Sequence, residues 1–319
     1  VNHSIAFVLS GGGNHGALQV GALRALLEHG VKPALIIGTS AGAINAAYFA
    51  ARPTLQGVYE LENIWREVKD DDVYPGNRLQ MLWRLVSGSE SIFPNQQFHQ
   101  FLQLRLPSEV RTFRDLLNPQ LFITSAHLDT CDLHLYGEDL DESVLEAVMA
   151  STALPPFSPP WLGADGRYHI DGGPVSDLPL SIALKKGARK IYALHITEVT
   201  MREERVAERA RSMAEVGHAA VRTLLKSQFD AEFAAVKAQR DVTLHHVKLH
   251  GAADLSFRDF SHGDELIESG YQQTKAYLQA LPQPIDPMEK VRETVTRFKQ
   301  WSDTLAQAWK DKRMLRLSE

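Results

Sequence analysis

The chain has 319 residues, with 34 Lys and Arg against 39 Asp and Glu and a formal net charge of -5. Its 44% hydrophobic and 23% charged residues are those of a folded globular protein and exclude a disordered chain. The slight acidic excess gives no electrostatic reason to expect a nucleic-acid partner, and a single cysteine, Cys131, excludes an intrachain disulfide framework and a Cys-based zinc site.

Ile5-Ala6-Phe7-Val8-Leu9 is a continuous apolar run that ends in Ser10-Gly11-Gly12-Gly13. Such a run predicts a strand buried on both faces, as in parallel sheets. Ala17, Val20, Leu23, Leu26 and Leu27 then recur at helical spacing until Gly30. A second apolar run, Ala34-Leu35-Ile36-Ile37, leads into a second glycine-rich turn, which completes a βαβ unit. Residues 41–51 read as a small-residue helix. Between Pro53 and Pro119 three helical patterns, around Leu61, Leu82 and Phe101, predict a helical insertion. Leu121-Phe122-Ile123-Thr124 and Leu133-His134-Leu135-Tyr136 read as strands around a turn at Asp129-Thr130, and residues 143–150 as a helix. After the stiff, proline-rich segment 155–160 come a short strand, Tyr168-His169-Ile170, and a longer one at 190–196. A wide apolar face predicts a core-packed helix over 203–239, followed by a strand at 242–249 and helices at 264–281 and 288–309. The alternation predicts an α/β fold with a mainly parallel central sheet between helices. The expected domain spans residues 4–281, with the insertion at about 53–119, and residues 282–319 form a helical extension.

Three short motifs carry chemistry. Gly38-Thr39-Ser40-Ala41-Gly42 fits G-x-S-x-G between a strand and a helix, the setting of a nucleophile elbow. Flanking glycines suit a turn where a Cβ would clash, and the helix N-terminus behind Ser40 favours developing negative charge. Gly11, Gly13 and Gly16 satisfy the dinucleotide pattern G-x-G-x-x-G, but the acidic residue expected about 20 positions later to hold a ribose is missing. The alternative is a loop whose backbone N–H groups receive an oxyanion. Asp171-Gly172-Gly173, after a strand, places a carboxylate that could serve Ser40 as general base; as a lone Asp-Gly turn it would mean little.

In this order the motifs resemble the patatin-like phospholipase family, whose marks are a G-G-G-x-[RK]-G loop, the G-x-S-x-G elbow and a D-G-[GA] turn. Ala150-Ser151-Thr152-Ala153-Leu154-Pro155 resembles the family's segment upstream of the aspartate. The resemblance runs from about residue 5 to residue 281. It implies a three-layer α/β/α fold and a Ser-Asp dyad without a catalytic histidine, acting through an acyl-enzyme on lipid esters. Ser40 would be the nucleophile and Asp171 the base. Backbone N–H groups of Gly11, Gly12 and Gly13, with Ala41, would form the oxyanion hole, and Gly16, Gly38, Gly42, Gly172 and Gly173 would shape the turns. No cofactor or metal is implied. His15 stands where the family has Arg or Lys, and a neutral imidazole does not replace a permanent charge. A lipid- or acyl-binding regulator without turnover is the alternative this departure keeps open.

Thirteen histidines invite other readings. In the chain order of an α/β-hydrolase triad His262 is the late candidate, although a helix lead-in is the plainer reading. His246 and His250 share a strand face but lie about 13 Å apart by rise, too far for one zinc ion. Trp161 and Leu162 line an acyl pocket or fill core. In the tail, Val291, Val295, Phe298, Trp301, Leu305 and Trp309 recur at helical spacing with near-balanced charge, which favours packing over a lipid-facing helix. No targeting or membrane-spanning segment is expected: residues 34–51, the longest weakly polar stretch, are broken by the elbow and Asn45. The expected location is cytoplasmic, with peripheral membrane contact left open, as is the oligomeric state.

Overall fold

Buried apolar strands flanked by glycine turns build the centre of the protein. A computed structural model describes residues 4–198, 213–251, 255–256, 258–282, 295–301 and 304. In chain order the first half comprises β1 (Ile5–Leu9), α1 (Gly16–Glu28), β2 (Leu35–Thr39), α2 (Ala41–Ala51), α3 (Leu55–Glu67), α4 (Asp70–Val73), α5 (Arg78–Val86) and α6 (Gln96–Arg105). There follow β3 (Gln120–His127), β4 (Leu133–Tyr136), α7 (Val144–Ser151), β5 (Trp161–Leu162), β6 (Tyr168–Asp171), α8 (Gly173–Ser176) and α9 (Leu180–Lys185). The last elements are β7 (Lys190–Glu198), α10 (Met213–Lys237), β8 (Thr243–Gly251) and α11 (Gly263–Gln279). The strands expected from the apolar runs are present. The two-residue β5 and the short α4, α8 and α9 are additional, with too few residues each to leave a periodic signal. Residues 203–212 of the long expected helix lie outside the described residues.

One mixed sheet runs in the order β5-β6-β3-β2-β1-β7-β8, with β4 also on β3. The strands from β3 through β8 along that order are parallel; β4, β5 and β6 are antiparallel to their neighbours. Alternation along β1 divides its two sides. Ala6 and Val8 join Ile37, Ile182 and Val236 in a buried cluster that includes residues of α9 and α10. Phe7 faces the opposite layer, its ring 6.1 Å from that of Phe49 in α2. Helices on both faces of the sheet make three layers, as expected. On the α1 side α11 crosses so closely that a Cβ on Gly270 would collide with the Leu18 carbonyl.

The register of β3 positions the chemistry. Its residues Ile123 to Ala126 pair with β4 on one edge. On the other edge Gln120 to Thr124 pair with β2, and β6 continues that edge beyond the end of β2. Thr39 of β2 therefore lies opposite Thr124, and Asp171 of β6 opposite the next residue, Ser125. Two chain ends meet head to head on a single strand edge, and the residues that follow or close them, Ser40 and Asp171, are neighbours.

Residues 279–319 form a second unit, of which residues 279–282, a helical stretch at 295–301 and Thr304 are described. Val295, Phe298 and Trp301 are exposed there. Val291, Leu305 and Trp309 lie outside the described residues. No helix among the described residues is long and apolar enough to cross a membrane.

Candidate active site

Ser40 joins β2 to α2 with φ 55° and ψ -124°, a region that non-glycine residues enter only when their surroundings force it. Close packing supplies the force. A Cβ on Gly42 would come within 2.5 Å of the carbonyl oxygens of Leu9 and Ser10, and one on Gly38 would strike the Gly42 carbonyl. The turn therefore folds directly against the end of β1, and only glycine fits on either side of the serine. Ser151, the last residue of α7, holds the turn from outside: its Oγ accepts the Ser40 N–H at 2.8 Å. Two residues later the Ala153 carbonyl accepts the Asp171 N–H at 2.8 Å. The segment 150–155 thus positions both partners at once.

Asp171 is buried at the C-terminal end of β6. Its Oδ1 accepts the Gly173 N–H at 2.8 Å, and the Ser40 side chain acts on the carboxylate. Burial pushes its pKa up to about 7; the Ser40 hydroxyl and the Gly173 N–H act against that rise, and the nearby Asp177 carboxylate adds to it. Sequence reasoning missed Asp177, an acidic residue six positions past the Asp171 turn in an otherwise apolar segment. Burial pushes it up to about 6, and its Oδ1 accepts the Gly11 N–H at 3.0 Å.

That bond divides the expected oxyanion donors. The Gly11 N–H, expected to face a substrate, is already held by Asp177. No acceptor among the described residues takes the N–H of Gly12 or Gly13, and both glycines are exposed. Gly13 adopts φ 56°, with open space where a Cβ would stand. Ala41 is the first residue of α2, where helix N–H groups have no intrahelical acceptor. Gly16 packs under the Trp65 ring and Gly172 against Thr124.

A buried polar network fixes the glycine loop relative to the elbow. Gln19 Nε2 donates to the Ser10 carbonyl at 2.8 Å, and Asn45 Nδ2 donates to the Gly16 carbonyl at 2.9 Å and to Gln19 Oε1 at 3.0 Å. Trp65 Nε1 closes the chain on Asn45 Oδ1 at 2.8 Å. Asn14 Nδ2 ties the loop to the carbonyls of Ser256 and Asp259. The signal for these residues was a pair of amides, Gln19 and Asn45, in otherwise apolar helices, where a buried polar group needs partners.

The remaining candidates lie elsewhere. The His15 ring packs on Gly251 at the end of β8. His262 leads into α11 with Nδ1 3.1 Å from Glu265 Oε2. His246 pairs with His195 at 3.1 Å rather than with His250, whose Nδ1 lies 2.8 Å from Thr197 Oγ1. Trp161 Nε1 donates to Glu146 Oε2 at 2.6 Å with its ring stacked on His99, and Leu162 is exposed.

Known proteins resemble the chain in sequence. Mouse patatin-like phospholipase domain-containing protein 7 is 30% identical over 195 residues, which are 61% of this chain and 14% of that protein. The lysophospholipase NTE1 of Scheffersomyces stipitis is 29% identical over 203 residues, 61% of this chain and 12% of that one. The chain thus spans about a seventh of the curated relatives' length. Among solved structures, VipD from Legionella pneumophila aligns over 88% of this chain and 67% of its own at 18% identity, with a TM-score of 0.49. The profile of patatin-like phospholipases matches residues 7–184, more than half of the chain, and the chain belongs to that family.

Proposed function

We propose that the protein is a serine hydrolase of lipid acyl esters. The observation that carries the reading is Ser40, held at φ 55° on a glycine-flanked turn, where its side chain acts on the buried Asp171 carboxylate. A carboxylate is a weak base in water. One raised to about 7 beside the hydroxyl is well matched to take its proton at neutral pH. As Ser40 Oγ bonds to the ester carbonyl carbon, its proton passes to Asp171, and the carbonyl oxygen gains negative charge. The N–H groups of Gly12 and Gly13, with that of Ala41 at the start of α2, receive that charge. The tetrahedral species collapses with protonation of the departing alcohol by Asp171. Water, deprotonated by the same carboxylate, then releases the fatty acid. Asp177 positions the loop through Gly11 and takes no proton in this scheme. The family membership, the lysophospholipase named among the relatives and the exposed glycine loop support an ester of a lipid as substrate.

The insertion at about 53–119 is proposed to meet the lipid surface. In α5, Leu79, Leu82, Trp83, Leu85 and Val86 are all more than half exposed, a cluster that water disfavours and an interface accepts.

Hydrolysis of p-nitrophenyl esters of graded chain length, with fluorophosphonate labelling, tests the chemistry. Wild type should react at Ser40, while folded Ser40→Ala and Asp171→Asn should not turn over. Full activity in Asp171→Asn would overturn the dyad. Co-sedimentation with phosphatidylcholine vesicles tests the surface: Trp83→Asp should weaken binding about tenfold or more and leave hydrolysis of a soluble short-chain ester unchanged.

A further inference from the structure

Two residues before Asp171, β6 carries His169, which stands opposite His127 of β3. His134 of β4 stands opposite Ser125. Paired residues on antiparallel neighbours share a face, so three imidazoles gather on one side of the sheet. Their centroids lie 4.6 Å (His127–His169), 4.9 Å (His134–His169) and 5.1 Å (His127–His134) apart. Asp165, from the turn between β5 and β6, reaches the cluster from its solvent side.

The partners are unevenly shared. His169 is engaged at both nitrogens: Nδ1 lies 2.9 Å from Ser125 Oγ and Nε2 3.2 Å from Asp165 Oδ1. His127 is only 7% exposed, yet its buried Nδ1 has no hydrogen-bond partner among the described residues. Native proteins rarely leave such a nitrogen unsatisfied unless something absent completes it.

The chemistry around that nitrogen points to a cation. His127, His134 and Asp165 each offer one ligand atom, and the three atoms lie within 4.8 Å of one another. Tetrahedral coordination at bonds of about 2.1 Å places ligand atoms about 3.4 Å apart, so small side-chain rotations suffice. Two imidazole nitrogens and a carboxylate oxygen suit a borderline divalent transition ion. His169 bonded to Asp165 is the outer partner that orients such a ligand. The exposed side of Asp165 leaves an entry path and room for water.

We propose that His127, His134 and Asp165 bind one divalent transition-metal cation of the zinc type, oriented by His169. The cation joins β3, β4 and the β5–β6 turn, and so clamps the strand that carries Asp171. Along the chain the three ligands come from separate segments, so ligand spacing gave no sign of them and a metal was not expected.

Chelator-treated full-length protein is titrated with Zn²⁺ by calorimetry and with Co²⁺ by visible absorption. The expected result is one equivalent, Co²⁺ d–d bands without thiolate charge transfer, and a Tm raised by about 5 °C at saturating Zn²⁺. Asp165→Asn and His134→Gln should each weaken binding at least tenfold, while His246→Gln, in the other histidine pair, should not. Asp165 is exposed, so its variant tests the site without a buried change. No uptake by wild type at 100-fold molar excess, or binding unaltered in Asp165→Asn and His134→Gln, would overturn the assignment. Neither readout depends on ester hydrolysis.

Discussion

The two ends of β6 differ in how their polar atoms are satisfied. At the Asp171 end the buried carboxylates are met by backbone donors: the Gly173 N–H donates to Asp171 and the Gly11 N–H to Asp177. At the His169 end, two residues away on the same face, His127 Nδ1 has no hydrogen-bond partner among the described residues. A closed network holds its groups in one geometry and does not need reorganisation when charge develops. An open one is poised for a ligand. The fold places both within about 7 Å by strand rise, because β3 runs past the end of β2 and offers β6 a free edge.

The largest test removes the closed network. Ser40→Ala should reduce ester hydrolysis to background, and Asp171→Asn should cost on the order of 10⁴-fold in kcat, with circular dichroism confirming the fold. Next, Gly42→Ala forces a Cβ to within 2.5 Å of two carbonyl oxygens, so the turn at Ser40 must open. Activity should be lost, and denaturant unfolding should show a stability loss of about 2 kcal/mol or more.

A third test uses the raised carboxyl. Between pH about 4 and 7 the folded Asp171 keeps a proton that the unfolded chain has released, so its burial destabilises the fold increasingly as pH rises through that window. A tenfold difference in proton affinity between folded and unfolded chain corresponds to about 1.4 kcal/mol. Asp171→Asn should therefore be inactive yet more stable than wild type at pH 8, by about 2–4 kcal/mol, with the difference vanishing near pH 4. Chemical denaturation at the two pH values measures it.

Smaller effects separate the two carboxylates. Asp177 raises the Asp171 pKa, so Asp177→Asn should move the acid limb of the kcat/KM profile, which rises through pH about 7 in wild type, to lower pH by about half a pH unit. The smallest expected effect is at the other end of β6: Asp165→Asn should lose the cation while metal-free ester hydrolysis stays within about twofold of wild type. A larger loss would mean that the two clusters are not separable.

The elbow, the glycine loop and the Asp171 turn were legible because each needs local residue types at fixed spacing: glycines where a Cβ collides, a serine between them, an Asp before Gly-Gly. The apolar strands were legible for the same local reason, since burial on both faces demands continuous hydrophobic runs. Asp177 and Ser151 were not read as site residues, because each acts on a backbone N–H more than 100 residues away. The histidine cluster was hidden for the same cause, and sequence spacing instead drew attention to His246 and His250, which share one strand and find separate partners. By itself the sequence determined the family, the layered α/β plan and the chemistry proposed for Ser40 and Asp171, all encoded in short stretches of chain. Only the tertiary structure decided that Gly11 is held by a second carboxylate and that His127 Nδ1 finds no hydrogen-bond partner among the described residues, because those facts depend on which strand edges meet.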